Sequence, residues 1–164
     1  MGVSSGLYRF VLLLHILTVV VGFGGIIVNA GMARAARQRG GAEGVAIGEA
    51  SAAVTKQVSQ NAFYAVPVFG ILLVVLSDGT FGFEEPWVGA AIVLYLAAAA
   101  ILVAVVRPSQ RRANELAAGL VANRSAGSAG GELEALDKKL AAFTGVFNLL
   151  FLAVLALMIF KPGS

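Results

Sequence analysis

The chain has 164 residues, a formal net charge of +3, 59% hydrophobic and only 13% charged residues, a single histidine and no cysteine; its mean hydropathy is +0.87 and its pI about 9.6. A soluble domain carries about a quarter of its residues charged, so this composition excludes a water-soluble fold. The missing cysteine excludes a disulfide framework, a thiolate metal site, covalent haem attachment and a cysteine nucleophile.

Four apolar runs, at 7–30, 58–77, 87–106 and 142–160, are each long enough for the roughly 20 residues with which a helix crosses a hydrocarbon core of about 30 Å. The expectation is an all-α integral membrane protein, an antiparallel four-helix bundle forming one domain over 1–164. The first run exceeds the about 7 to 15 apolar residues of a signal-peptide core, so it is expected as a retained span. Along one face of it His15, Thr18, Gly22, Gly25 and Asn29 recur at helical spacings. Such a stripe of polar and small residues belongs against other helices rather than lipid.

Residues 31–57 are expected as a loop, with 42–57 forming a surface helix that runs into the second span. That span carries Asn61, Tyr64 and Pro67, and stops at Ser77-Asp78-Gly79. A short loop over 78–86 ends in Glu85-Pro86, an ordinary helix start. The third span begins at Trp87 and holds Tyr95 and the alanines 97–100. A second long loop over 107–141 follows. Within it, 110–123 sets Leu116 and Leu120 opposite Arg112 and Glu115, 125–131 reads as a flexible joint, and 132–140, with Glu134 and Lys138 one turn apart, resumes a helical pattern that feeds into the fourth span, which carries Asn148.

Lysine and arginine set the threading. Loop 31–57 holds Arg34, Arg37, Arg39 and Lys56, and loop 107–141 holds Arg107, Arg111, Arg112, Arg124, Lys138 and Lys139. Loop 78–86 has only Asp78, Glu84 and Glu85 for charges. Short basic loops stay cytoplasmic, which puts 31–57 and 107–141 inside, with loop 78–86 and both termini outside. The positive charge therefore reports topology, not nucleic-acid binding. The partners expected are membrane lipids and either further copies of the chain or other membrane-protein subunits.

His15 is the one ionisable residue well inside a span, and such residues are costly and hence functional candidates. Counted from the outer ends, it lies about eight residues deep, roughly 12 Å. Tyr95 falls at the same level, and Asn148 about four residues deeper. One reading is a structural hydrogen-bond network around His15, with a second polar layer from Asn29, Asn61, Tyr64 and Thr144 toward the cytoplasm. The other makes His15 a ligand of copper or an axial ligand of haem iron, in the latter case with Gly22 and Gly25 leaving room for the flat ring and Tyr95 or Asn148 standing beside the imidazole. A single histidine excludes bis-histidine ligation within one protomer. No residue is assigned a catalytic role, because no carboxylate sits in a span to orient the imidazole.

Leu14-His15-Ile16-Leu17 with Val21-Gly22-Phe23-Gly24, Phe69-Gly70-Ile71-Leu72-Leu73 with Leu76-Ser77-Asp78-Gly79, and the closing Leu157-Met158-Ile159-Phe160-Lys161-Pro162-Gly163 resemble the four-helix DUF2269 membrane proteins of bacteria along nearly the whole chain. That resemblance implies a fold and a bacterial plasma membrane, and no activity. More distantly, the Leu-His-Ile motif in a first span resembles the copper-resistance D family and the HemJ-like protoporphyrinogen oxidases, which implies metal or haem handling at His15. A basic residue that HemJ-like proteins carry within a span has no counterpart here, so oxidase activity is not implied. The sequence thus favours a structural or accessory membrane component. A haem- or metal-handling redox protein using His15 as ligand and an oligomeric small-solute transporter are the alternatives.

Overall fold

The structure, a computed structural model, describes residues 2–122 and 129–163. Among these the chain has no strand, and the four apolar runs lie in four long helices: α1 (Gly6–Arg39), α2 (Gly41–Leu76), α3 (Pro86–Val121) and α4 (Ala129–Phe160). Length and apolar composition qualify each of them to cross a membrane.

All four helices outrun their apolar stretches at the same, basic end. The segments 31–57 and 107–141, expected as loops with helical portions, are helical almost throughout their described residues. Residues 125–128 of the expected joint lie outside the described residues, and Ala129, Gly130 and Gly131 open α4. The extension of α1 follows from composition, since alanine, arginine, glutamine and methionine are good helix formers. It stops at Gly40, whose N–H bonds to the Ala36 carbonyl at 3.1 Å. Gly40 and Gly41 have φ of 65° and 55°, the left-handed backbone that ends helices and favours glycine. Together they turn the chain back on itself. Gly44 then lies against the Ala36 carbonyl, where a side chain would collide.

At the opposite end Ser77 closes α2. Its hydroxyl donates to the Val74 carbonyl at 2.8 Å and accepts from the Phe81 N–H at 3.0 Å. Pro86 then starts α3 at the first helical position, where its missing N–H costs nothing. The Lys161 ammonium sits 4.0 Å above the Phe81 ring, and Phe81 meets Trp87 edge-on at 5.7 Å.

The bundle consists of two hairpins, α1 with α2 and α3 with α4. They join around an aromatic centre drawn from all four helices. Phe23 stacks on Phe147 at 5.3 Å and on Phe151 at 4.6 Å, and meets Phe63 edge-on at 5.0 Å, while Phe63 stacks on Tyr95 at 5.0 Å. Phe23, Phe63 and Phe147 are fully buried. The outward faces are apolar instead, with Val28, Leu149 and Ile159 all more than 60% exposed. Apolar side chains turned outward along whole helices are what a bilayer solvates. At the basic end, the ion pair of Arg37 with Asp137 at 2.5 Å ties α1 to α4 across the two hairpins, and that of Arg112 with Glu132 at 2.9 Å closes the α3–α4 hairpin.

Candidate functional site

Polar groups inside the bundle come first, because each needs a partner there. His15 is buried on the α2-facing side of α1, its Nδ1 3.2 Å from the Val66 carbonyl. A carbonyl only accepts, so the geometry assigns the ring proton to Nδ1. Gly70 makes the seat for the ring: a Cβ there would stand 3.3 Å from the His15 Cε1. Thr18, next on the stripe, returns its hydroxyl to the His15 carbonyl at 2.8 Å. Both donors therefore serve backbone oxygens.

Tyr95 does the same on another helix. Pro67 has no N–H, and in a helix that N–H would fill the carbonyl four residues back, which is that of Phe63. The Tyr95 hydroxyl donates to this carbonyl at 3.0 Å. Depth counting brings Tyr95 close to the right level, yet its partner is Phe63, three residues along α2 from the carbonyl that His15 uses. Asn148 adjoins Phe147, which stacks on Phe23, eight residues and roughly 12 Å along α1 from His15. The observed partner of the imidazole is neither of them. The Asn148 Oδ1 is buried without a hydrogen-bond partner among the described residues.

Gly22 and Gly25 face α2 closely. A Cβ on Gly22 would stand 2.7 Å from both the Cα and N of Phe63, and one on Gly25 would strike the Ser59 hydroxyl and lie 2.6 Å from its Cβ. The space above these two glycines is filled by α2. Gly24 faces outward, with nothing within 4 Å of its position. Among the described residues no group of three or more histidine, cysteine, aspartate or glutamate side chains could hold a metal ion.

Asn29, Asn61, Tyr64 and Thr144 do not form one layer. The Ser51 hydroxyl donates to the Asn29 Oδ1 at 2.5 Å, the Asn61 amide returns to the Gln57 carbonyl at 2.8 Å, and Tyr64 accepts from Arg107 at 3.2 Å. Asn29 and Thr144 instead line an open cavity of about 710 Å³ at the basic end. Ile26, Leu102, Val103 and Val106 give it an apolar floor, and Lys56, Gln60, Arg107 and Arg111 give it a polar rim.

Two wide π turns shape its walls. In α2 the Gln60 N–H reaches the Thr55 carbonyl, and in α3 the Arg107 N–H reaches the Leu102 carbonyl, each five residues back instead of four. Pro108 gives the second a cause, since its ring would crowd the carbonyl four residues before it and a widened turn relieves that clash. Nothing in the residues at 55–59 explains the first. Sequence reading missed this cavity. The one signal for it is the flanking of the second and third apolar runs by Lys56 and Arg107. A smaller cavity of about 170 Å³ lies under the Gly40 turn, lined by Ala36, Arg37, Gly44 and Asn114.

Nearby, burial raises the Asp137 carboxyl above the usual carboxylate range, and the guanidinium of Arg37 works in the opposite direction. The exposed Glu134 is held below that range by its hydrogen bond to Lys138. As chemistry, the arrangement holds and positions. His15, Thr18 and Tyr95 direct their protons to main-chain oxygens, and Lys56, Arg107 and Arg111 gather around a cavity at one end.

Neither a curated protein nor a solved structure matches the chain. The likeness to copper-resistance D and HemJ-like proteins rests on Leu14-His15-Ile16 alone. A family model described as "Predicted integral membrane protein (DUF2269)" matches residues 9–162, and the chain belongs to the DUF2269 family of integral membrane proteins.

Proposed function

We propose that this protein is a non-catalytic multi-pass component of a bacterial plasma membrane, structural or accessory in role, that packs against further copies of itself or against other membrane-protein subunits. Its threading puts the basic end, 31–57 and 107–141, in the cytoplasm and 78–86 outside, as the lysine and arginine distribution requires. The observation that carries the reading is the commitment of His15 to Val66 and of Tyr95 to Phe63. Both side chains, candidates for a functional role in the spans, join one helix to another. On the outer face of α3, Ala97 and Ala100 are exposed, and small residues there let another helix approach closely.

Haem ligation by His15 needs room for a macrocycle beside α1, and the filling of the Gly22 and Gly25 faces by Phe63 and Ser59 weighs against it. For a solute pathway, the buried aromatic cluster around Phe23, Phe63 and Phe147 stands in the way beyond the basic-end cavity. The test is gentle purification in a mild detergent with measurement of the protein mass in the complex. A species heavier than the 16.8 kDa protomer, or a second subunit in stoichiometric amount, is expected. A lone protomer with nothing copurifying contradicts the reading.

A further inference from the structure

The basic-end cavity has the features of a lipid site. Its volume of about 710 Å³ falls within the roughly 300–1,000 Å³ of small-molecule pockets. Its floor continues the apolar interior, while Lys56 stands two residues before the apolar run of α2 and Arg107 immediately after that of α3. The two helices are antiparallel, so both cations come to the level at which a bilayer places its phosphates. Each is carried by, or directly follows, one of the two π turns, and such turns concentrate at functional sites because they re-aim the side chains around them.

The charge balance at that level is positive. Arg111 and Glu115 pair at 2.9 Å and cancel. Arg107 is steadied by the Tyr64 hydroxyl at 3.2 Å, an uncharged partner that leaves its charge uncompensated. Lys56 is exposed, with no ion pair among the described residues. The remaining carboxylate on the wall, Glu49, lies seven residues before Lys56 on α2, about 10 Å further from the apolar floor.

We infer that this cavity binds an anionic glycerophospholipid, an acyl chain lying on Leu102, Val103 and Val106 and the phosphate between Lys56 and Arg107. Basic pockets between membrane helices attract such headgroups, and each lysine or arginine near them adds severalfold to affinity. The site does not depend on the assembly proposed above.

The test uses the full-length protein, stripped of lipid by detergent exchange and titrated with short-chain phosphatidylglycerol, the matching phosphatidylcholine, and inorganic phosphate, with thermal unfolding as the readout. Phosphatidylglycerol is expected to raise the midpoint saturably, phosphatidylcholine to act about tenfold more weakly, and inorganic phosphate to do nothing. Lys56→Gln with Arg107→Gln should weaken phosphatidylglycerol about tenfold or more. If that double variant does not fold, Lys56→Gln alone should weaken it about fivefold. Val103→Trp, which fills the floor and leaves the cations in place, should remove the stabilisation. Equal effects of the two lipids, unchanged affinity in the charge variants, or undiminished binding in Val103→Trp each overturn the proposal. Saturable stabilisation by inorganic phosphate alone makes the site one for a free anion and overturns the lipid assignment.

Discussion

Tyr95 donates its hydroxyl at 3.0 Å to the carbonyl of Phe63, the carbonyl that Pro67 leaves without a helical donor. A proline within a membrane helix is tolerated when a neighbouring group fills the freed carbonyl, and here the filler comes from the opposite hairpin. Tyr95→Phe should therefore destabilise the bundle by about 1 to 2 kcal/mol, the cost of a buried acceptor left unmet. In a Pro67→Ala background the restored N–H fills the same carbonyl, so Tyr95→Phe should then cost almost nothing. Unfolding in detergent across the four proteins of this cycle checks it. Equal costs in both backgrounds would show that the hydroxyl contributes elsewhere.

Glycines on α1 should separate by face. Gly22→Ala puts a methyl against rigid Phe63 backbone, and Gly25→Ala against Ser59, an overpacking that costs about 1 to 3 kcal/mol. Gly24→Ala meets nothing and should be neutral to mildly stabilising, since alanine is the better helix former by up to about 1 kcal/mol. Ser59→Gly should rescue Gly25→Ala and leave Gly22→Ala unrescued. Melting midpoints of the single and paired variants decide this. A neutral Gly22→Ala would mean that α1 and α2 do not approach as described.

The Arg37–Asp137 pair makes a pH-dependent clasp between α1 and α4. Burial raises the Asp137 carboxyl, with Arg37 opposing, so removing the guanidinium should raise it further. A carboxyl that holds its proton more tightly when folded adds stability at low pH and loses it as pH rises through the raised folded value. Arg37→Met should accordingly cost about 1 to 2 kcal/mol near neutrality, an estimate reduced because the pair is partly exposed. The deficit should shrink toward pH 4. A deficit independent of pH between 4 and 7 would show that the carboxylate does not need Arg37.

Threading is testable because the chain has no cysteine of its own. Ala42→Cys and Thr80→Cys place single thiols at exposed positions on the basic and acidic ends. In intact cells a membrane-impermeant maleimide should label Thr80→Cys and spare Ala42→Cys until the cells are lysed. The reverse pattern would invert the topology.

Apolar periodicity and run length made the four helices legible, because nothing but a span uses so many uninterrupted apolar residues. The inward placement of the His15 stripe was legible too: His15 and Gly22 are buried, as a polar and small-residue face requires. Partner identity was not legible. Residue counting gives depth but not azimuth, so Tyr95, set at the level of His15, belongs to Phe63, and Asn29 finds Ser51 rather than Asn61. The continuation of the helices past their apolar ends was half visible in the alanine and arginine content of 31–39. The π turns that open the basic-end cavity arise from packing and, in α3, from Pro108, and leave no periodic trace.

In the role proposed here His15 packs α1 against α2, its proton on Nδ1 and directed to Val66. The most direct measurement is the visible absorption spectrum of gently purified protein, oxidised and dithionite-reduced, beside His15→Ala. No Soret band is expected in either protein, and the variant should melt at a lower midpoint, with loss of the buried ring costing about 1 to 3 kcal/mol. A Soret band that shifts on reduction in the parent protein and vanishes in His15→Ala would contradict it and make His15 a haem ligand.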